Sequence, residues 1–354
     1  MHPLVKQFVR RGKLSYLWLT RILGAPNHYK VSPSVKLRMN VGGGFISDQY
    51  VLYDLEKNSR DEYLSEFDWY RSRWINEPFD PMLNNKVTWA ETLKHVAYVP
   101  EVLLVKNKGR LWDLANPSCL STPVEALERV REVGSVFMKP IGMGKGRGVH
   151  RIDCIEAAEG MAYVVDAVPV TQGDVLTLLG TEDGWFLSSS IKQHPELDVL
   201  FPGSTNTTRV ITMRNPDTGK VEVFFAVLRL GTSSTIPVDN GSRGGLVAKV
   251  NLETGELSEA RSLWTTDTYI THPDTGAQIQ GASVPQWQEV RDEVVRLALL
   301  FPYLQFVAWD VLVTLDGPCV IEANTSSGVN ILQLWGPQRH GGLGDFYRAH
   351  GVIK

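Results

Sequence analysis

Apolar and polar residues alternate with a helical period in the first hundred residues and with a strand period in most of the remaining chain. Residues 4–23 read as a helix closed by Gly24, Pro26 and Asn27, and Gly42 to Gly44 mark a loop. A polar stretch from Leu55 to Trp74 also reads as helical, followed by a proline-containing loop from Asn76 to Pro81. A further helix is predicted from Lys86 to His95, ending before Pro100.

From Val102 onward the runs are short and rich in β-branched residues. Strands are predicted at 102–105, 136–138, 149–152, 185–190, 209–214, 221–229, 246–250, 306–315 and 319–323, with helices at 123–133 and 285–301. So many hairpins among mixed elements predict α+β layers rather than a regular βαβ array. There is no internal repeat and no long linker.

Composition narrows the class. The 354 residues are 43% hydrophobic and 21% charged, with a net charge of −3, which suits a globular chain of two or three domains and excludes a disordered one. Cys119, Cys154 and Cys319 are odd in number and far apart, which excludes a disulfide framework and argues against structural zinc. Reduced, buried cysteines in a cytoplasmic protein are expected. The most apolar stretch, 297–313, is broken by Pro302, Gln305 and Asp310, so no membrane-spanning helix is expected. Lys6, Arg10, Arg11 and Lys13 interrupt any signal-peptide core.

Charge is unevenly spread. No acidic residue precedes Asp48, whereas Lys6, Arg10, Arg11, Lys13, Arg21, Lys30, Lys36 and Arg38 contribute +8. This basic segment also carries Leu4, Val5, Phe8, Val9, Leu14, Tyr16, Trp18 and Leu19. It could lie on an anionic membrane surface or grip an anionic partner such as a carrier protein; otherwise it is a packed helix with solvated cations.

Two segments carry chemistry. In the first, β-branched runs flank Asp316-Gly317, a hairpin signal that brings Asp310 opposite Glu322 or Ala323. Glu322 and Asn324, two residues apart, share a strand face. Two carboxylates and an amide oxygen converge there. Left alone the carboxylates would repel each other, and a hard cation such as Mg²⁺ removes that cost. The alternative is a surface hairpin whose acids face water.

The second segment, 136–149, reads as a hairpin with a glycine-rich tip. Gly142, Gly144, Gly146 and Gly148 expose backbone N–H groups, and Lys139, Lys145 and Arg147 add positive charge, as a polyphosphate site requires. It matches neither GxxxxGK[ST] nor GxGxxG and does not open a helix. A flexible, incidentally basic loop is the alternative.

Together these segments resemble the ATP-grasp superfamily. There, a strand ending in Lys-Pro (here Lys139-Pro140) leads into a glycine-rich loop over the phosphates, and an Asp followed by Glu-x-Asn (here Asp310, Glu322 and Asn324) binds Mg²⁺. Lys86 looks like the family's earlier phosphate lysine. Residues 187–196 look like its adenine hinge, with Ser190 and Ile191 offering backbone groups and Glu196 meeting the ribose. Ser189 stands where many members have a glutamate facing the adenine amine. Asn206-Thr207-Thr208-Arg209, Arg229-Leu230-Gly231, Val238-Asp239-Asn240, Gly244-Gly245 and Phe306-Val307-Ala308-Trp309-Asp310 are similar to the sugar-transfer-associated ATP-grasp group.

The resemblance implies an ATP-grasp fold of two α+β subdomains gripping ATP. Its expected divisions are a basic helical region at 1–84, a lid-containing subdomain at 85–200 and a catalytic subdomain at 201–354. It also implies ATP and Mg²⁺ as cofactors, with Lys139, Gly144, Lys145 and Gly146 over the phosphates. The expected activity is a carboxylate–amine or carboxylate–thiol ligase acting through an acylphosphate, in polysaccharide modification or natural-product biosynthesis. The rivals are a phosphotransferase with a hydroxyl acceptor and a non-catalytic nucleotide binder. Such chemistry is mainly positioning and electrostatics and needs no nucleophilic side chain. Arg209 and Arg229 are the expected holders of the substrate carboxylate or tetrahedral intermediate, since guanidinium forks suit planar oxyanions. Asn240, Arg243, Gly244 and Gly245 would line the same cavity, with Ser326, Ser327 and Gly328 bordering the acceptor pocket. No nucleic-acid partner is expected.

Overall fold

A computed structural model describes residues 3–142, 148–157 and 160–354. Gly144, Lys145 and Gly146, expected over the phosphates, lie outside the described residues. Among those described, fourteen strands form two seven-stranded sheets. The first sheet holds β1 (Val102–Asn107), β2 (Arg110–Asp113), β3 (Ser135–Pro140), β4 (His150–Ala157), β5 (Gly160–Val165), β6 (Val168–Val170) and β7 (Trp185–Ser189), in the order β2-β1-β7-β3-β4-β5-β6. The second holds β8 (Thr208–Arg214), β9 (Val221–Leu230), β10 (Leu246–Val250), β11 (Leu257–Ser262), β12 (Thr268–Tyr269), β13 (Phe306–Thr314) and β14 (Gly317–Asn324), in the order β12-β11-β10-β9-β8-β13-β14. Every strand pairing described is antiparallel, and the class is α+β, as the hairpin-rich pattern predicts.

One face of the first sheet is covered by two helices. Val136, Met138, Ile152 and Leu187 pack against Ala126, Leu127 and Val130 of the helix Pro123–Val133 and against Val175 and Leu179 of the helix Gln172–Thr181. The former matches its predicted limits because its signals are local: Thr122 and Glu125 form a capping box, Pro123 starts the helix, and Gly134 leaves it at φ 81°. Val136 and Met138 point into this core, so Phe137 and Lys139 project from the opposite face.

The second sheet is covered on both faces. On one, Val210, Leu228, Trp309, Val311 and Val313 meet Val290, Val294 and Leu297 of the helix Trp287–Leu300. On the other, Ile211, Phe225, Val227, Phe306 and Ala308 meet Leu64, Val329, Leu332 and Phe346. β13 is consequently buried along its whole length and reads as a nearly continuous apolar run. Trp89, Leu93, Leu197 and Leu200, although in the 85–200 segment expected to form the lid subdomain, pack into the second sheet's core.

The N-terminal region departs from its predicted pattern. The first helix runs from Pro3 to Leu17 and continues as a wider, π-type turn over Trp18–Leu23. The single helix expected at 55–74 is broken. Asp54 adopts a left-handed backbone (φ 47°), Arg60–Glu62 form a 3-10 turn, and an α-helix covers only Glu66–Ser72. The Ser59 and Ser65 hydroxyls accept bonds from the N–H groups of Asp61 and Asp68, starting new turns instead of continuing one helix. Beyond this segment, the Asn76 amide bonds the backbone of Gln305 and Phe306 and ties the region to the start of β13. Cys154 and Cys319 are buried and free, whereas Cys119, expected to be buried, is exposed. Among the described residues no helix is long and apolar enough to cross a membrane.

Candidate functional site

The site lies on the polar end of the second sheet's inner face, above Val227 and Ala308. The β13–β14 hairpin sets its geometry. Thr314 pairs with Gly317, leaving Leu315 and Asp316 as the two-residue turn, and this register would place Asp310 opposite Ile321. A bulge between Asp310 and Val311 shifts the pairing by one residue, so Asp310 faces Glu322 and Ala308 faces Asn324. The bulge therefore puts both carboxylates on one face with the Asn324 amide beside them.

Asp310 is almost fully buried and is held by arginines from neighbouring strands. Arg209, paired with it across β8, donates from Nε and Nη2 to its two oxygens at 2.7 Å each. Arg229 on β9 donates from Nη1 to Oδ2 at 2.9 Å and from Nη2 to Asp239. Asp239 in turn accepts bonds from the Thr207 N–H at 2.8 Å and the Thr207 hydroxyl at 2.5 Å. Burial alone would push the Asp310 carboxyl up. The Arg209 and Arg229 guanidinium groups overcome this and hold it well below the usual carboxylate range. The guanidinium forks expected to face substrate are thus engaged with Asp310 and Asp239.

Glu322 is the more open of the two acids. Lys86 Nζ lies 3.1 Å from its Oε2, and Asn324 Nδ2 donates to Oε1 at 3.4 Å. Lys86 begins the helix Lys86–Leu93, whose first turn is capped by the Asn85 side chain. The Lys86 N–H also reaches the Ile141 carbonyl at 3.5 Å, so the start of the glycine-rich loop docks on this helix. Lys139 projects from the first sheet into the neighbourhood of Glu322 and Lys86, its ammonium 5.2 Å from the Phe137 ring centroid. Burial pushes its pKa down to about 8; the nearby Glu322 opposes that shift and Lys86 adds to it. Lys139 should accordingly acylate with a pH midpoint near 8, below that of exposed lysines, and nucleotide with Mg²⁺ should slow the reaction. Peptide mass spectrometry after trace labelling would measure this, and labelling indifferent to nucleotide would remove Lys139 from the site.

The donor set suits Mg²⁺. It is all oxygen, its two carboxylates stand opposite each other across the hairpin, and Asp310 Oδ1 accepts only one of the arginine bonds. Histidine and cysteine are not among these residues, which is consistent with a hard-cation site.

In the segment expected to form the hinge, the Ser190 N–H donates to the Ser135 carbonyl at 3.1 Å. Among the described residues the Ser190 carbonyl and the Ile191 N–H make no backbone hydrogen bond, so these are the groups the segment could present as the expected hinge edge. The His194 N–H bonds the Val313 carbonyl at 2.7 Å, joining the hinge to β13. Glu196 is exposed in the first turn of the helix Pro195–Leu200.

Other expected lining residues act through structure. A Cβ on Gly245 would come within 2.8 Å of the Asp239 carbonyl and 2.9 Å of that of Leu230, so Gly245 permits the tight loop that presents Asp239. The Asn240 side chain accepts the Ser242 N–H in the same loop. Ser326 accepts the Trp69 indole N–H at 3.1 Å, and Asn330 accepts Gln49 and Tyr53 at 2.7 Å each, so the N-terminal region shapes the segment after Asn324. Asp239 and Trp69 are site-supporting residues that sequence reasoning did not single out; the Thr-Thr-Arg and Val-Asp-Asn motifs contained the only signal for the former.

A sequence model of the family described as sugar-transfer associated ATP-grasp matches residues 68–339. The chain belongs to this family. No curated protein sequence matches it significantly. Among solved structures, the ATP-grasp ligase PsnB with a minimal precursor is 15% identical over 78% of this chain and 63% of its own, at a TM-score of 0.41. D-alanyl-alanine synthetase A from Vibrio cholerae is 13% identical over 77% and 66%, at 0.43. N5-carboxyaminoimidazole ribonucleotide synthetase from Thermus thermophilus is 12% identical over 69% and 46%, at 0.35. The chain spans less than two thirds of the length of these proteins. The family match covers both sheets of this ATP-grasp chain and the helices Pro123–Val133, Gln172–Thr181 and Trp287–Leu300 packed on them.

Proposed function

We propose that this ATP-grasp protein is an ATP- and Mg²⁺-dependent ligase that joins a carboxylate to an amine or thiol through an acylphosphate. The observation that carries the reading is the bulged hairpin, which gathers Asp310, Glu322 and Asn324 within reach of Lys86 and Lys139. Family membership supports it. Asp310, Glu322 and Asn324 would hold Mg²⁺, which when bound screens phosphate charge. Lys86 and Lys139 offset the repulsion between the γ-phosphate and the incoming carboxylate. Ser190 and Ile191 present the hinge edge to the base. Arg209 and Arg229 keep Asp310 ionised and aimed at the site, and Asp239 fixes Arg229.

In the first step a carboxylate oxygen bonds to the γ-phosphorus as the bond to ADP breaks. In the second, the acceptor nitrogen or sulfur bonds to the acyl carbon, phosphate leaves with its electron pair, and the acceptor's proton passes to solvent. The substrates fit polysaccharide modification or natural-product biosynthesis, the family's description favouring the former. The test is a panel of carboxylates and amines with ATP and Mg²⁺, followed by mass spectrometry and phosphate release. ADP and free phosphate appearing only with both substrates supports ligation. Phosphate retained on a hydroxyl product, or no magnesium-dependent turnover across the panel, overturns it.

A further inference from the structure

The first helix, Pro3–Leu17, presents two unlike sides. Its inner side holds it to the body: Leu14, Leu17 and Trp18 are half-buried, Lys6 lies 3.2 Å from Glu77, and the Arg10 guanidinium lies 4.7 Å from the Trp74 ring centroid. Its outer side is apolar. Leu4 and Phe8, then Val5 and Val9, recur four residues apart, and Tyr16 follows Val9 by seven, so these side chains share one side around Gly12. They face solvent, with Phe8 78% and Tyr16 66% exposed. Leu19, just beyond the helix, is exposed as well, as are Leu37 and Val41, four residues apart on the helix Pro33–Val41.

A folded surface rarely leaves so many large apolar groups together without a use. Their surroundings indicate what covers them. Arg11 and Lys13 flank the apolar side, Lys30 and Lys36 lie on the same N-terminal segment, and no acid occurs before Asp48. A protein partner burying this side would need its own complementary acids at every cation. A sheet of anionic headgroups supplies negative charge on all sides while its acyl boundary accepts the apolar groups. We propose that this side of the first helix seats the protein on an anionic lipid surface. The anchor is tied to the site, because Trp74 and Glu77 bracket Asn76, whose amide holds the start of β13.

The full chain should therefore sediment with phosphatidylcholine vesicles containing phosphatidylglycerol and much less with phosphatidylcholine alone, and added salt should weaken binding. Phe8→Glu should lower partitioning by about tenfold or more. Because Phe8 is exposed, the circular dichroism should stay unchanged. In a Phe8→Trp variant, the difference emission against wild type should shift blue on anionic vesicles. The proposal is overturned by absent sedimentation with anionic vesicles, by Phe8→Glu binding like wild type, or by an unshifted Phe8→Trp emission. It is also overturned if light scattering shows a dimer that Phe8→Glu dissociates while vesicles remain unbound, since the occupant would then be a second copy.

Discussion

Glu322→Gln should cost magnesium-dependent ATP turnover about 10²–10³-fold while leaving the protein folded. The two expectations rest on different features of the same side chain. Its carboxylate is opposed to Asp310 across the bulged hairpin, so the amide removes one anionic oxygen and turns an N–H toward the place where positive charge is to be held. Its burial is only partial, and its contacts are a Lys86 ion pair at 3.1 Å and a long Asn324 bond. Losing them orphans no deeply buried charge, so stability should change by no more than about 1 kcal/mol. Turnover measured against magnesium concentration, alongside a thermal melt, separates the two. Turnover within a few-fold of wild type would remove Glu322 from the metal set.

How far such a site is legible from sequence depends on the range of the interactions that build it. Helix 123–133 is legible because Thr122, Pro123, Glu125 and Gly134 act within a turn of its ends. The break at Ser59 and Ser65 is equally local, yet the polar pattern of 55–74 masks it, since the same residues suit a solvated helix. Short edge elements such as β2, β6 and β12 carry too few residues for any period to emerge. The acidic hairpin stands out by composition, but its register does not. Placing the turn at Asp316-Gly317 sets Asp310 against Ala323, the observed turn alone would set it against Ile321, and the bulge restores Glu322. The network in which Arg209 and Arg229 pair with Asp310, and Arg229 also with Asp239, is least legible, because it joins four separate segments and depends on which residues face one side of the sheet. A lone arginine on a strand therefore looks free for substrate when it is already committed.

That commitment predicts a large loss of stability when the Asp310 charge is removed. Asp310→Asn keeps the shape of the side chain but removes the charge that three guanidinium N–H groups address. Arg229 retains Asp239, whereas Arg209 loses the carboxylate it grips with both arms. An amide can accept at one oxygen, and its N–H₂ must then face a guanidinium in a nearly dry setting. Breaking a buried ion pair from one side costs about 3–5 kcal/mol, which for a chain of 354 residues is a fall in Tm of about 4–7 °C. Asp310→Asn should thus lose activity and stability together, in contrast to Glu322→Gln. The pH dependence separates this from general loosening. The folded-state pKa of Asp310 is depressed below its ordinary 3.8, so its contribution is fully present above that value and is lost as pH falls toward the folded-state value. The stability gap between wild type and Asp310→Asn, measured by urea unfolding, should be wide near neutrality and narrow in acid. A gap that stays constant with pH would mean that the arginines do not stabilise the protein through the Asp310 charge.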